Sequence, residues 1–152
     1  TMLKFVILIS SVLFLSSRGA NLPSWPKQFR WSYGGNTSGY NCISVNEPSD
    51  PHHWSDNKLC WEAGHTNPGI RWSYGGAIAG MRCTRIFEPS EPSNHHWADN
   101  YLCVPGDSPY DFVFSIHDKI LGKGCIHMEE PSDPHAWSDN YLCASIGVGP
   151  SF

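Results

Sequence analysis

The sequence predicts an all-β fold in which three short repeats form a body with pseudo-threefold symmetry. Three observations carry that expectation. The block Cys-x4-Glu-Pro-Ser-x4-Trp-x-Asp-Asn-x-Leu-Cys occurs at Cys42–Cys60, at Cys83–Cys103 with two extra residues before the Trp, and at Cys125–Cys143. Those blocks take up all six cysteines. Charged residues make up only 16% of the chain, whereas 14 Gly and 12 Pro interrupt it, a composition that suits short strands and turns better than helices.

The chain opens with Lys4, an apolar run from Phe5 to Leu15 broken only by Ser10 and Ser11, and then Ser-Ser-Arg-Gly-Ala. A basic start, a short apolar core and a small-residue exit read as a secretory signal peptide over residues 1–20, cleaved near 19/20. The run is shorter than the ~20 apolar residues a bilayer requires. The expected mature chain, residues 21–152, is therefore a single secreted domain. Taking Lys4 and Arg18 from the ten basic residues leaves eight against fourteen acidic ones, a formal charge of −6. This argues against nucleic acid or an anionic membrane as partner.

Counting from the first cysteine of each block puts the units in phase. Phe29, Ile70 and Phe112 lie thirteen residues before it, and Trp31, Trp72 and Phe114 two places later. Gly39, Gly80 and Gly122 also align. The repeats are 29–69, 70–111 and 112–152, with starts 41 and 42 residues apart. Three such units are too few for a propeller or a long solenoid; they suit a closed β-prism or β-trefoil.

In the first unit, Phe29–Tyr33 alternates large apolar and polar residues and reads as a strand, with Phe29, Trp31 and Tyr33 on one face. Gly34-Gly35 turns the chain. Tyr40–Asn46 and Lys58–Trp61 read as the second and third strands. Between them, Glu-Pro-Ser-Asp-Pro-His-His carries two prolines that a central strand does not accept, so it reads as a surface loop. No helix is expected; 116–121 is the nearest to one. Six cysteines allow 15 pairings, and the repeat selects among them. Spacings of 18, 20 and 18 favour Cys42–Cys60, Cys83–Cys103 and Cys125–Cys143. Each bridge closes a proline-rich loop, a constraint worth ~3 kcal/mol. Zinc is a poor reading, because there is no Cys-x2-Cys pair and an exported chain meets oxidising conditions.

The recurring polar and aromatic residues each admit two readings. Trp54, Trp97 and Trp137 either pack the core or offer indole faces to a sugar or another flat ligand. The pairs Asp56-Asn57, Asp99-Asn100 and Asp139-Asn140 either satisfy a turn backbone or grip vicinal hydroxyls through an acceptor and an amide. His52-His53, His95-His96 and His135 lie in the same loops and read by default as surface histidines, with metal binding the lesser reading because adjacent histidines on an extended loop point two ways; His53, His96 and His135 complete the candidate ligand-binding set. Glu47, Asp50, Glu88, Glu91, Glu130 and Asp133 are oxygen donors of the type calcium takes, although their spacing matches no recognised calcium loop; solvated surface acids are the simpler reading. Asn36-Thr-Ser38 is a glycosylation sequon in a turn. No nucleophile elbow, phosphate loop or His-Glu-x-x-His is present, and the polar clusters recur three times where a catalytic site occurs once; no catalytic residue is assigned.

The residues Glu47-Pro48, Asp56-Asn57 and Leu59-Cys60, with their counterparts in the other units, resemble the repeats of vitelline-membrane outer-layer proteins. The closing motif is also similar to dermatopontin-like repeats. The units here are shorter, carry a cysteine just before Glu-Pro, and close on Leu-Cys without a spacer. The resemblance implies an extracellular, non-catalytic, carbohydrate-associated protein and transfers no binding residue. The expectation is a lectin-like module with two or three equivalent sites for extracellular glycans, which multivalency would strengthen. The alternative is a structural protein of an egg coat, mucus or matrix.

Overall fold

A computed structural model describes residues 29–146 except 53, 66, 67, 93, 95, 96 and 136, and leaves the Ile146 side chain undescribed. The expected signal peptide lies outside the described residues. Within them the chain is all-β, with three strands per unit. These are β1 (Phe29–Ser32), β2 (Tyr40–Ser44) and β3 (Lys58–Glu62); β4 (Arg71–Ser73), β5 (Met81–Ile86) and β6 (Asn100–Pro105); and β7 (Tyr110–Ser115), β8 (Gly124–Met128) and β9 (Asn140–Ile146). Each unit forms its own antiparallel sheet with the third strand in the middle, in the orders β1-β3-β2, β4-β6-β5 and β7-β9-β8. The register repeats as well: Arg30, Arg71 and Val113 stand opposite Cys60, Cys103 and Cys143.

The disulfides pair as the spacing predicts. Cys42 faces Cys60, Cys83 faces Cys103 and Cys125 faces Cys143 directly across the ladder, with Cα separations of 4.0–4.1 Å. By the two-residue alternation of a strand, each bridge lies on the sheet face opposite Leu59, Leu102 or Leu142, which point to the core. The aligned glycines have a positional cause: Gly39, Gly80 and Gly122 take φ of 79°, 77° and 80°, where a Cβ is strained, just before the second strand of each unit.

The expected strands are displaced only at their ends. Tyr33 falls past the end of β1 and is 48% exposed instead of continuing the buried face. The chain leaves β2 at Ser44, two residues early, because Glu-Pro-Ser begins a turn closed by Asp50 N–H to the Glu47 carbonyl. The segment 116–121 runs from a bend into a turn and is not helical, but the chain does form short helical turns elsewhere, against the expectation of none. The Trp-x-Asp segments wind into single 3₁₀ turns at Trp54–Asp56, Trp97–Asp99 and Trp137–Asp139, leading directly toward the central strands.

Neighbouring sheets meet in a closed cycle, β2 against β4, β5 against β7 and β8 against β1. The core is their shared interior. Phe29 packs edge-on against Tyr110 and Phe112 of β7, at 5.4 and 5.9 Å. Trp61, Val104 and Ala144 occupy one repeat position with three different volumes and are all buried. No helix among the described residues is long and apolar enough to cross a membrane.

Candidate functional site at the threefold axis

The repeat's conspicuous residues converge on the axis. Trp54, Trp97 and Trp137, one from each unit, form a triangle with ring centroids 4.5, 4.5 and 4.7 Å apart. They are 1–2% exposed. A second tier supports them: Trp31 lies 6.1 Å from Trp54, Trp72 6.2 Å from Trp97 and Phe114 6.1 Å from Trp137. No indole face is offered to solvent, so the expectation that these residues stack on a sugar is corrected. A 3₁₀ turn leading into a central strand points its first side chain inward. Three large flat rings then fill a small body's axis better than aliphatic side chains would.

Each indole N–H would be an unsatisfied buried donor without a partner, and the preceding unit supplies one. Trp54 Nε1 donates to Asp133 Oδ2 (3.1 Å), Trp97 Nε1 to Asp50 Oδ2 (2.8 Å) and Trp137 Nε1 to Glu91 Oε1 (2.8 Å). The asparagines follow the same handedness: Asn57 Nδ2 donates to Glu130, Asn100 to Glu47 and Asn140 to Glu88, each at 2.6 Å. These asparagines are fully buried. Glu47 Oε1 also accepts from the Ser49 N–H and hydroxyl at 2.9 and 2.7 Å, and Glu130 Oε1 from those of Ser132 at the same distances. Glu88 Oε1 accepts from the Ser90 N–H at 3.0 Å.

Two further expectations change. Asp and Asn of one pair do not grip a ligand together, because Asn57, Asn100 and Asn140 face the interior while their neighbours face outward. Asp56 is exposed, and Asp99 and Asp139 are half-exposed. The six acids first grouped for calcium split into two sets. Glu47, Glu88 and Glu130 are consumed by serine and asparagine partners. Asp50, Glu91 and Asp133 gather at the axis, with carboxylate oxygens within 4.8 Å of one another.

Two histidines meet this second set. His52 Nδ1 lies 2.8 Å from Asp50 Oδ1 and 3.8 Å from Asp133 Oδ2. His135 Nδ1 lies 2.8 Å from Asp133 Oδ1 and 3.2 Å from Glu91 Oε2. The two rings are 5.5 Å apart. Side chains of the acids are 0–2% exposed, those of His52 and His135 24% and 26%. The hydrogen bond with Asp133 raises the His135 pKa above its ordinary value, and the charges of Glu91, Asp133 and Asp50 add to this against burial. Burial works to raise Asp133. Hydrogen bonds with Glu91, the His135 backbone, the Trp54 indole and the His135 ring outweigh it and hold the pKa below the usual carboxylate range.

His53 and His96 lie outside the described residues. His52 is the histidine the axis uses from the first unit, and the sequence held the signal: His52 and His135 both stand ten residues after the first cysteine of their blocks.

A different pair of surfaces faces outward. Tyr33 and Tyr74, 48% and 54% exposed, belong to the Trp-Ser-Tyr-Gly-Gly turns of units one and two. Each turn is closed by a serine hydroxyl donating to a glycine carbonyl, Ser32 to Gly35 (2.7 Å) and Ser73 to Gly76 (2.6 Å). The Gly35 and Gly76 N–H groups, in turn, donate to the Asp56 and Asp99 carbonyls at 2.9 Å. An exposed phenol thus lies at the same end as the exposed Asp56 in unit one and the half-exposed Asp99 in unit two. In unit three Ile116 replaces the tyrosine, and His117 Nδ1 approaches Asp139 Oδ2 at 3.3 Å. Asn36 is exposed in the first of these turns.

Clefts also flank the proline loops. One of about 300 Å³ is lined by Arg85, Phe87, Pro89, Pro92 and Trp97, and its first-unit counterpart of about 170 Å³ by Asn46, Pro48, Pro51, Trp54 and Ser55. They share a place but not a chemistry, since Phe87 stands where the first unit has Asn46. No family model, curated protein or solved structure matches the chain.

Proposed function

We propose that this chain is a secreted, lectin-like module of β-prism type that binds extracellular glycans at two surface sites, Tyr33 with Asp56 and Tyr74 with Asp99. The observation that carries the reading is the recurrence of an exposed tyrosine in a turn hydrogen-bonded to the backbone of an aspartate, exposed at Asp56 and half-exposed at Asp99, in two units with identical Trp-Ser-Tyr-Gly-Gly turns. A flat ring packs on the apolar face of a pyranose while a carboxylate accepts from its hydroxyls. The unlike clefts beside the proline loops support two equivalent sites less well. Three separate sheets, each with its third strand central, favour a prism over a trefoil. Cross-strand disulfides in every unit suit an oxidising, extracellular setting. A glycan on Asn36 would crowd Tyr33, three residues away, and leave Tyr74 accessible.

Glycan-array screening of the deglycosylated protein, followed by calorimetry on a bound sugar, tests this. Two sites per chain are expected, falling to one in Tyr33→Ala or Tyr74→Ala, with melting temperature unchanged. Absence of any bound glycan, or undiminished binding in the double variant, would overturn it.

A second reading is favoured by a separate observation: the buried recurring tryptophans Trp54, Trp97 and Trp137 and asparagines Asn57, Asn100 and Asn140 all bond to a neighbouring unit. On that reading the chain is a durable structural component of an extracellular coat or matrix, and the double tyrosine variant has no binding phenotype.

A further inference from the structure

We propose that the axial cluster is a site for one divalent transition-metal ion of the zinc type, ligated by His52, Asp133 and His135, with Asp50 and Glu91 completing or orienting the set. This inference is independent of the glycan reading and uses none of its residues. The two imidazole nitrogens and the Asp133 carboxylate lie within 4.8 Å of one another, as do the oxygens of Asp50, Glu91 and Asp133. Ligand atoms of a tetrahedral zinc ion bonded at ~2.0–2.1 Å stand about 3.3 Å apart, so closing on an ion needs small rotations of half-exposed rings and no change of fold.

Three features separate this set from ordinary surface acids. First, the three carboxylates are desolvated and crowded, with oxygens within 4.8 Å of one another. Like charges so placed favour a cation between them. Secondly, every one of these carboxylates is already held at one oxygen by an indole N–H from the following unit, which aims the other oxygen toward the histidines. Orientation of a ligating carboxylate by an outer donor is what tight metal sites use. Thirdly, the set mixes nitrogen with oxygen. Two imidazoles with carboxylate select zinc-like ions, whereas calcium takes an all-oxygen shell.

On binding, the metal replaces the Nδ1–H···carboxylate hydrogen bonds of His52 and His135. Each ring then keeps one proton, on Nε2, and an imidazolium releases the other to solvent. The ion sits where three units meet, so its bonds would tie the first and third units, and through Glu91 the second.

The experiment is titration of untagged, chelator-stripped protein with zinc chloride, followed by calorimetry and melting temperature. One ion per chain is expected, with a melting temperature that rises with zinc concentration. His52→Ala and His135→Ala should each weaken binding at least tenfold, while His65→Ala and His117→Ala, at exposed histidines away from the axis, leave it unchanged. X-ray absorption of the zinc-loaded wild type should show imidazole scattering in a shell at ~2.0 Å, a readout that needs no variant. Absence of zinc binding, binding indifferent to His52 and His135, or calcium bound as tightly as zinc would each overturn the proposal.

Discussion

Replacing Asn100 with alanine tests whether the cyclic contacts between units hold the fold together. Asn100 is fully buried, and its amide donates at 2.6 Å to Glu47, itself 5% exposed. The substitution removes a hydrogen bond to a charged group, worth about 1.5–3 kcal/mol, and leaves one carboxylate oxygen without that donor. The serine contacts to Glu47 Oε1 remain and keep the loss toward the middle of that range. At roughly 3–5 °C per kcal/mol for a domain of this size, the melting temperature should fall by about 6–12 °C. Chemical denaturation would give the free energy directly, and Asn57→Ala and Asn140→Ala should behave alike because their contacts to Glu130 and Glu88 are the same length. Asn100→Asp adds a signature that a cavity cannot mimic. It sets two carboxylates face to face, so stability is lowest near neutral pH and recovers as the pH falls and one of them takes up a proton. A loss below ~0.5 kcal/mol in Asn100→Ala, or no acid recovery in Asn100→Asp, would refute the reasoning.

Other expectations follow from the same geometry. Converting Cys83 and Cys103 together to alanine should cost about 2–5 kcal/mol in denaturant, because it frees the longest of the three loops in the unfolded chain. Trp54→Ala should cost about 3–5 kcal/mol, since it empties one third of the indole triangle and strips Asp133 of a donor; Asp56→Ala, at an exposed position, should stay within ~0.5 kcal/mol. In metal-free protein, the raised His135 contributes stability that is full below the ordinary histidine pKa and is lost as pH rises through its folded value. The lowered Asp133 contributes stability that is full above the ordinary carboxylate pKa and is lost as pH falls through its folded value. Melting temperature against pH should therefore fall on both sides of a plateau, and His135→Gln should remove the decline on the neutral-to-alkaline side.

Much of the architecture was legible because the chain aligns with itself. Two cysteines per unit at nearly constant spacing selected the disulfides, and proline confined 47–52 to a loop. The alternation at Phe29 and Trp31 marked a strand. The axis was not legible. Trp54 could face inward or outward on the same pattern, because a single residue beside a loop carries no periodicity from which to read a face. Glu47 and Asn100 are 53 positions apart, and nothing in a repeat says whether its acid meets its own amide or the next unit's. Asp56-Asn57 looked like one polar group because the residues are adjacent; the 3₁₀ turn that ends at Asp56 sends the two side chains to opposite environments.

By itself, the sequence determined what is local and repeated: strand, turn, proline loop, bridge, three times over. Those features follow from backbone sterics and from cysteine spacing, which each unit carries whole. Only the tertiary structure decided which recurring residues are buried at the axis and which face solvent. No unit can satisfy its own Trp, Asn, Glu and Asp. Closure of the ring gives the N–H groups of Trp54, Trp97 and Trp137 and the amide nitrogens of Asn57, Asn100 and Asn140 an acceptor on the preceding unit, burying these residues at the axis and leaving Tyr33, Tyr74 and Asp56 to face the solvent.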